Sequence, residues 1–227
     1  MRLCILLCGL KRTYEQVKIS LQENLINVLL QQSELLDVFV HSDEAIKVVN
    51  LRGQITKLPL VYESIPPSFS RFNECYYKLI LPYMHRNNLE YDYYICTRPD
   101  NFYFKHCLKL QINEWDKNKV SVRMRYYPKK LNLFRHTGYL SKGIETVDDQ
   151  FYIIPKKIAD SAFSLITGTY PILSKIPWNE GDLTRLWNSN NIQFTTFPIN
   201  VIIHNWSHDR DKRIYNQRLL IQEKQIK

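Results

Sequence analysis

The stretch Tyr91–Phe104, which reads YDYYICTRPDNFYF, decides the fold. Its short, nearly all-apolar and aromatic run from Tyr93 to Thr97 is typical of a strand that is buried on both faces of a sheet. Because a proline cannot donate a hydrogen bond within a central strand, Pro99 predicts that the strand ends by about Thr97. Ligands bind at the carboxyl ends of such strands, so the stretch predicts a binding site that includes Arg98, Asp100 and Asn101. A charged surface turn is the alternative interpretation.

The segments before this strand alternate between strand and helix patterns. We expect strands over Leu3–Leu10 and Leu35–His41, a helix over Tyr14–Leu30, and a second helix from Ser70, as its cap, to about Asn88. Alternation of this kind predicts an α/β, Rossmann-like domain with a central, mostly parallel sheet flanked by helices. We place this single domain at residues 1–208 and a charged tail at residues 209–227.

The composition is that of an ordinary globular protein. Hydrophobic residues make up 44% and charged residues 23% of the 227 residues, and no apolar run approaches the ~18 residues that span a bilayer. The five cysteines are odd in number and form no CxxC pair, which predicts buried, reduced thiols in a cytoplasmic protein.

The net charge is +9 and is unevenly placed. Between Lys117 and Lys142 the sequence has eight Lys or Arg residues and no acid. Such a segment attracts phosphates, an anionic membrane surface or nucleic acid, and a solvated basic face is the alternative. Because no nucleic-acid-binding motif accompanies it, we expect no nucleic-acid partner and leave open a peripheral contact with an anionic membrane.

The turn after the first strand reads Cys8-Gly9-Leu10-Lys11-Arg12-Thr13. A glycine here allows close approach of the backbone, the next helix directs its amino end at the same place, and Arg12 is suited to a phosphate. The turn matches neither the P-loop nor the dinucleotide-binding pattern, and a plain strand–helix turn explains it equally well.

Four further groups of residues carry candidate chemistry. Asp100, with Asn101 as an auxiliary oxygen ligand, would suit Mg²⁺ or Mn²⁺ beside a diphosphate. Asp148 and Asp149 would either accept a substrate hydroxyl as a general base or simply face solvent. Glu180 and Asp182 follow Asn179, so a helix cap competes with a sugar-binding role. His204 ends an apolar run and is either a second metal ligand or a polar strand end.

In order along the chain, these pieces resemble the small GT-A type glycosyltransferases that use nucleotide-sugars, including those of bacterial polysaccharide clusters and large DNA viruses. CGLKRT resembles their G-x-x-R-T opening, LLDVFVHSD their D-V-F-x-H segment, and VDDQF their D-Q-F element. NEGDLTRLW resembles their E-x-x-L helix start, and Arg98-Pro99-Asp100 occupies the position of their D-x-D motif. The likeness covers about residues 1–197, and its main departure is Arg98, which replaces the first acid.

The resemblance implies a role for each matching residue. The nucleotide would lie against Gly9, Leu10, Arg12, Thr13 and Arg98, with its uridine or guanosine near His41 and Asp43. A divalent metal would contact Asp100 and His204, while Glu180, Asp182 and Asn101 would bind the sugar or the acceptor. Asp149, or alternatively Asp148, would orient or deprotonate the acceptor hydroxyl.

We therefore expect a hexosyl- or deoxyhexosyltransferase that moves a sugar from a UDP-sugar, or alternatively a GDP-sugar, to a glycan or glycolipid, assisted by Mn²⁺ or Mg²⁺. Two rivals remain open: a sugar-phosphate nucleotidyltransferase, and a catalytically silent protein of the same fold that binds a nucleotide-sugar or a polyanion.

Overall fold

The computed structural model describes residues 1–43, 57–61, 68–108, 111–127, 144–164 and 180–203. Within these ranges it leaves out the side chains at 57–61, 68–70, 124–127, 144–149, 180–183, 185, 200 and 202–203. The basic segment beyond residue 127 and the predicted tail therefore lie largely or wholly outside the described residues. Among the helices that are described, none is long and apolar enough to cross a membrane.

The chain forms nine strands and six α-helices in these parts of the sequence. The strands are β1 (Arg2–Gly9), β2 (Leu35–Ser42), β3 (Lys57–Val61), β4 (Tyr93–Thr97), β5 (Asn101–Leu108), β6 (Val120–Tyr127), β7 (Ile144–Pro155), β8 (Phe194–Thr196) and β9 (Ile199–Ile203). The helices are α1 (Tyr14–Leu21), α2 (Asn27–Gln32), α3 (Ser68–Cys75), α4 (Leu81–Asn87), α5 (Lys156–Ser164) and α6 (Glu180–Ser189). A 3₁₀ turn occupies Ile112–Glu114.

Seven strands make the main sheet, in the order β3-β2-β1-β4-β7-β6-β8, and β5 pairs with β9 in a separate ribbon. The pairs β1–β2, β1–β4, β2–β3 and β6–β8 are parallel, whereas β7 is antiparallel to both β4 and β6. Six strands therefore run in one direction and β7 runs in the other. The predicted α/β fold with a mostly parallel sheet flanked by helices is confirmed.

The continuous apolar run of β1 reflects burial on both faces of the sheet. Successive side chains of a strand point to opposite faces. Leu3, Ile5 and Leu7 accordingly join one buried cluster together with Leu25 of the first helical segment. Cys4, Leu6 and Cys8 join the other cluster, which includes residues of α3, α5 and α6 such as Phe72, Phe163 and Trp187. Full burial of each large aliphatic side chain contributes about 1.5–3 kcal/mol, so these two layers hold the sheet in place.

The order of the strands reverses next to β1. The chain leaves β1 through α1 and returns to β2 on one side, then moves outward to β3. It next crosses through α3 and α4 to β4, which lies on the opposite side of β1. Connections that leave in opposite directions make the position between the carboxyl ends of β1 and β4 a topological switch point, where α/β sheets have the crevice that binds ligands.

Several local predictions need correction. Both long helices contain a π-helical turn, Gln22–Ile26 between α1 and α2 and Tyr76–Ile80 between α3 and α4. The second helix begins at Ser68, so Ser70 lies inside it and is not its cap. In contrast, the predicted strand over Tyr93–Thr97 is confirmed, because β4 has the same bounds.

The five cysteines are free and buried, as predicted for reduced thiols. Burial raises the pKa of the Cys4, Cys8 and Cys96 thiols well above the ordinary value. These side chains therefore behave as small apolar core residues rather than as nucleophiles.

Candidate functional site

Three turns meet at the carboxyl edge of the sheet, after β1, β2 and β4. The backbone N–H of Lys11 donates to Asp43 Oδ1 at 2.7 Å, which joins the turn after β1 to the end of β2. The hydroxyl of Ser42 donates to the same oxygen at 3.1 Å. Asp43, predicted to bind the nucleotide, therefore has one carboxylate oxygen committed to shaping this turn.

Gly9 lets the turns after β1 and β4 approach each other. Its φ is +147°, and a Cβ at this position would lie 3.1 Å from Pro99 Cδ and 3.6 Å from Arg71 Nη1. The sequence predicted that this glycine allows close approach, and the group that approaches it in the structure is the ring of Pro99. The same contact shows that the Arg71 guanidinium, carried by α3, reaches this edge.

Arg98 and Asp100 form a buried, two-point ion pair. Arg98 Nε donates to Asp100 Oδ1 and Arg98 Nη2 donates to Asp100 Oδ2, both at 2.9 Å. The Asp100 side chain is 0% exposed and that of Arg98 is 11% exposed. Planar guanidinium and carboxylate groups match in this geometry, so each side chain orients the other. Arg98 therefore uses two of its N–H donors to bind Asp100, a pairing that the predicted nucleotide contact did not include.

Arg12 completes a cluster of two cations around one acid. Its Nη1 lies 3.9 Å from Asp100 Oδ2, and its side chain is 46% exposed. Its φ is +25°, in the left-handed region that residues other than glycine seldom adopt. Left-handed backbone costs roughly 1–2 kcal/mol for an L-residue. Strain of this kind is concentrated at functional sites, where the direction of one side chain matters more than its stability.

Asp100 does not fit the predicted role of a metal ligand. Both of its oxygens accept hydrogen bonds from Arg98, and Arg12 is the next nearest cation among the described residues. A divalent ion bound to this carboxylate would be placed beside two guanidinium charges, which opposes its binding. Among the described residues no group of three or more His, Cys, Asp or Glu side chains could hold a metal. The other predicted ligand, His204, lies outside the described residues.

Asn101 is hydrogen-bonded to the strands beside the site, and its predicted contact with the substrate stays a prediction. Its side chain is fully buried, and Nδ2 donates to Thr97 Oγ1 at 3.1 Å and to the Gln150 carbonyl at 2.9 Å. Thr97 Oγ1 in turn donates to the Gln150 carbonyl and is also hydrogen-bonded to the hydroxyl of Tyr103. Burial raises the pKa of Tyr103, so this hydroxyl stays protonated. The network joins the end of β4 and the first residues of β5 to the middle of β7.

His41, at the end of β2, is buried against α3. It is 1% exposed, its Nδ1–H donates to the Arg71 carbonyl at 2.9 Å, and its Nε2 lies 3.5 Å from Glu74 Oε2. Burial lowers the pKa of His41, which favours the neutral ring. These contacts are with α3, and the expected position of His41 near the nucleotide base stays a prediction.

The first half of β7 bulges next to this site. Val122 pairs with Tyr152 and Met124 pairs with Val147, so a single β6 residue, Arg123, lies opposite residues 148–151. Thr97 pairs with Phe151, which places the bulge at the carboxyl end of β4. Bulges near active sites redirect side chains.

Asp148 and Asp149 fall within this bulge, although their side chains are not among those described. Arg123 Nη1 donates to the carboxamide oxygen of Gln150 at 2.9 Å and thereby braces the bulge.

Fewer contacts are described for the remaining predicted site residues. Leu10 is buried at the end of β1, and Thr13 is the residue before α1, its carbonyl accepting the N–H of Gln16 at 3.0 Å. Glu180 and Asp182 lie in the first turn of α6, and their side chains are not described. The structure thus unites Gly9, Arg12, Arg98, Asp100 and the backbone of Asp149 at one edge.

Sequence reasoning missed Arg71, Tyr103 and Arg123. Arg71 lies in α3, and its proximity to Gly9 depends on how that helix crosses the sheet. Tyr103 and Arg123 belong to strands whose pairing partners lie far away in the sequence. No local pattern marks any of the three.

No protein-family model matches the chain, and no curated protein sequence matches it. Among solved structures it is similar to the glycosyltransferase GlyE of Streptococcus pneumoniae TIGR4, with a TM-score of 0.45 and 13% identity over 86% of this chain and 44% of that one. The apo form of GlyE matches with a TM-score of 0.45 and 12% identity over 87% and 45%. The chain spans less than half the length of these structures. A likeness this distant does not decide an activity, which has to be argued from the site.

Proposed function

We propose that this protein is a glycosyltransferase of the GT-A type that takes its sugar from a nucleoside diphosphate donor. A UDP-sugar is the favoured donor and a GDP-sugar the alternative. The acceptor is a hydroxyl of a glycan or glycolipid. The sequence resemblance described above supports this class, because its matching pieces in the turn after β1, the turn after β4 and the bulge of β7 come together in space.

One observation carries the proposal: a cluster of arginines lies at the topological switch point. Arg12 and Arg98 surround Asp100 there, and the guanidinium of Arg71 reaches Gly9 from the other face. At Asp100 itself the two guanidinium groups carry one more unit of charge than the carboxylate, which supports an anion site at this corner of the edge. α1 begins at Tyr14, directly after this turn, and the positive end of its helix dipole favours an anion there.

The transfer step that we propose uses Asp149, with Asp148 as the alternative. The carboxylate takes the proton of the acceptor hydroxyl, whose oxygen forms a bond to the anomeric carbon of the donor sugar. The bond between that carbon and the diphosphate oxygen breaks, and the nucleoside diphosphate leaves with both electrons. Cationic side chains at the switch point stabilise the charge that develops on the departing diphosphate. The anomeric configuration is inverted in this scheme.

The test is thermal unfolding with UDP, GDP and a panel of their sugars. A ligand at about 100 times its Kd stabilises the folded state by about 2.7 kcal/mol. At this chain length each kcal/mol raises Tm by about 2–4 °C, so a true donor raises it by roughly 5–10 °C.

The donor that passes this test is then incubated with glycan acceptors, and the release of nucleoside diphosphate is measured. Asp149→Asn removes the base and should abolish release while keeping the thermal shift. If no nucleotide shifts Tm and the protein instead binds heparin or RNA in a salt-sensitive manner, the polyanion-binding rival is correct.

A further inference from the structure

The carboxylate that the resemblance assigns to a metal is already neutralised from within the protein. Arg98 holds both oxygens of Asp100 at 2.9 Å, and neither group has much exposure to solvent. Buried ion pairs with two parallel hydrogen bonds are held in one geometry, and removing one partner is strongly unfavourable. A metal would therefore have to displace Arg98 before it could reach the oxygens of Asp100.

Arg12 supplies the exposed cation that this buried pair lacks. Its guanidinium lies 3.9 Å from Asp100 Oδ2 and its side chain is half exposed, so a ligand can reach it from solvent. Its left-handed backbone, with φ +25°, is an independent sign that the turn is shaped to place this residue. A planar guanidinium offers several parallel donors to phosphate oxygens.

We infer that the protein binds a diphosphate group without a divalent cation, through Arg12, with Asp100 and Arg98 as positioning residues. This inference rests on the proposed function, since the diphosphate is that of the donor. Asp100 orients Arg98 and attracts Arg12, and the exposed guanidinium of Arg12 contacts the diphosphate where a metal ion would otherwise do so. Arg98 stands where the resembling family has an acid, and on this inference the diphosphate is bound by guanidinium groups in place of a metal ion.

The experiment is calorimetric titration of the full chain with UDP, GDP and inorganic pyrophosphate, each in EDTA and in Mn²⁺. We expect at least one of these probes to bind in EDTA, with a Kd that Mn²⁺ changes by less than about threefold. A factor of three corresponds to well under the 1.4 kcal/mol of a tenfold change, too little for a direct metal–phosphate contact. Binding that requires Mn²⁺ overturns the inference.

Two charge-removing variants separate a specific contact from general attraction. Arg12→Ala should weaken the binding of the same probe in EDTA by about ten- to a hundredfold, the effect of losing hydrogen bonds to a charged group. Lys18→Ala is the matched control: it removes one positive charge of similar exposure from α1, where Lys18 pairs with Glu15. Its binding should stay within about twofold of the wild type because screening weakens distant charges. Equal losses in both variants contradict a specific role of Arg12.

A reciprocal variant converts the site to metal dependence. Arg98→Asp places two carboxylates on alternate residues with no guanidinium between them, an arrangement of oxygen ligands that suits Mn²⁺. We expect Mn²⁺ to raise the Tm of Arg98→Asp and to leave that of the wild type unchanged, and we expect the variant to bind the probe only with Mn²⁺. If Arg98→Asp binds in EDTA as well as the wild type, Arg98 is not part of the site. If the variant does not fold, the Arg12 comparison decides.

The results distinguish failure of this inference from failure of the proposed function. UDP or GDP binding that requires Mn²⁺ leaves the glycosyltransferase proposal intact and refutes the metal-free site. Pyrophosphate binding in EDTA without any nucleotide binding supports the arginine site and refutes the nucleotide-sugar donor. No binding of any probe, with or without Mn²⁺, refutes both.

Discussion

The Arg98–Asp100 pair allows one prediction to be worked out quantitatively. In Arg98→Met the side chain keeps much of its length and loses its charge. Asp100 then keeps a fully buried carboxylate whose nearest cation, in the described part of the chain, is Arg12 at 3.9 Å. Breaking a buried pair in this way typically costs about 3–5 kcal/mol. At about 2–4 °C of Tm per kcal/mol, the expected drop is about 6–20 °C. Arg12 moderates the loss, because its half-exposed charge still faces the carboxylate, so the lower half of this range is expected.

The double variant Arg98→Met/Asp100→Leu removes both charges and fills the same space with apolar groups. Replacing a buried pair by packed apolar side chains is often neutral or even stabilising, so the double variant should recover most of the lost stability. Urea unfolding followed by circular dichroism measures both changes, and the difference between the double and single variants gives the coupling energy. Lys18→Met, which breaks an exposed pair with Glu15, should leave the midpoint unchanged within error. An Arg98→Met loss below about 1 kcal/mol would refute the buried, oriented pair.

Three further predictions concern the turn and the helix face around this pair. Arg12→Gly should be more stable than Arg12→Ala by about 1 kcal/mol, because only glycine adopts φ +25° without strain, and equal urea midpoints would show that the turn is unstrained. Gly9→Ala should cost about 1–3 kcal/mol, because the new methyl lies 3.1 Å from the Pro99 ring at a φ of +147°; an unchanged Tm would contradict this close approach. Burial lowers the pKa of His41 in the folded state, so below the unfolded value of about 6.5 the unfolded chain binds more protons. Stability should therefore fall as the pH drops from about 6.5 toward the lower folded pKa, and His41→Gln should flatten this part of the Tm–pH curve; parallel curves would show that another group is responsible.

The sequence predicted the central strands well because their signals are local. The apolar run of Leu3–Leu7 and the aromatic run of Tyr93–Thr97 are each long enough to mark a strand buried on both faces, and Pro99 marks where the second one ends. It did not predict that β5 and β9 pair outside the main sheet, since β5 alternates irregularly between buried and exposed positions. A strand with such an irregular pattern of buried and exposed residues can be assigned to a sheet only when its partner strand is known.

The candidate site shows the same division. Gly9, Arg12, Arg98 and Asp100 could be proposed from the sequence because they follow strands whose carboxyl ends meet at one edge. Their partners could not be: a carboxylate two residues from an arginine is equally able to bind a metal, face solvent or pair with that arginine. Burial decides among these three arrangements. An unpaired charge away from water is costly, and the guanidinium two residues away can pair with the carboxylate.

What the sequence alone determined is therefore the set of elements, the parallel α/β architecture and the edge at which chemistry is placed, since hydrophobic period, glycine and proline act over a few residues. What only the tertiary structure decided is which side chains are used there. His41 turns to α3, Asn101 ties β4 to β7, and Arg98 claims both oxygens of Asp100. These choices depend on burial and on residues that are distant in the chain, and both exist only after the sheet has formed.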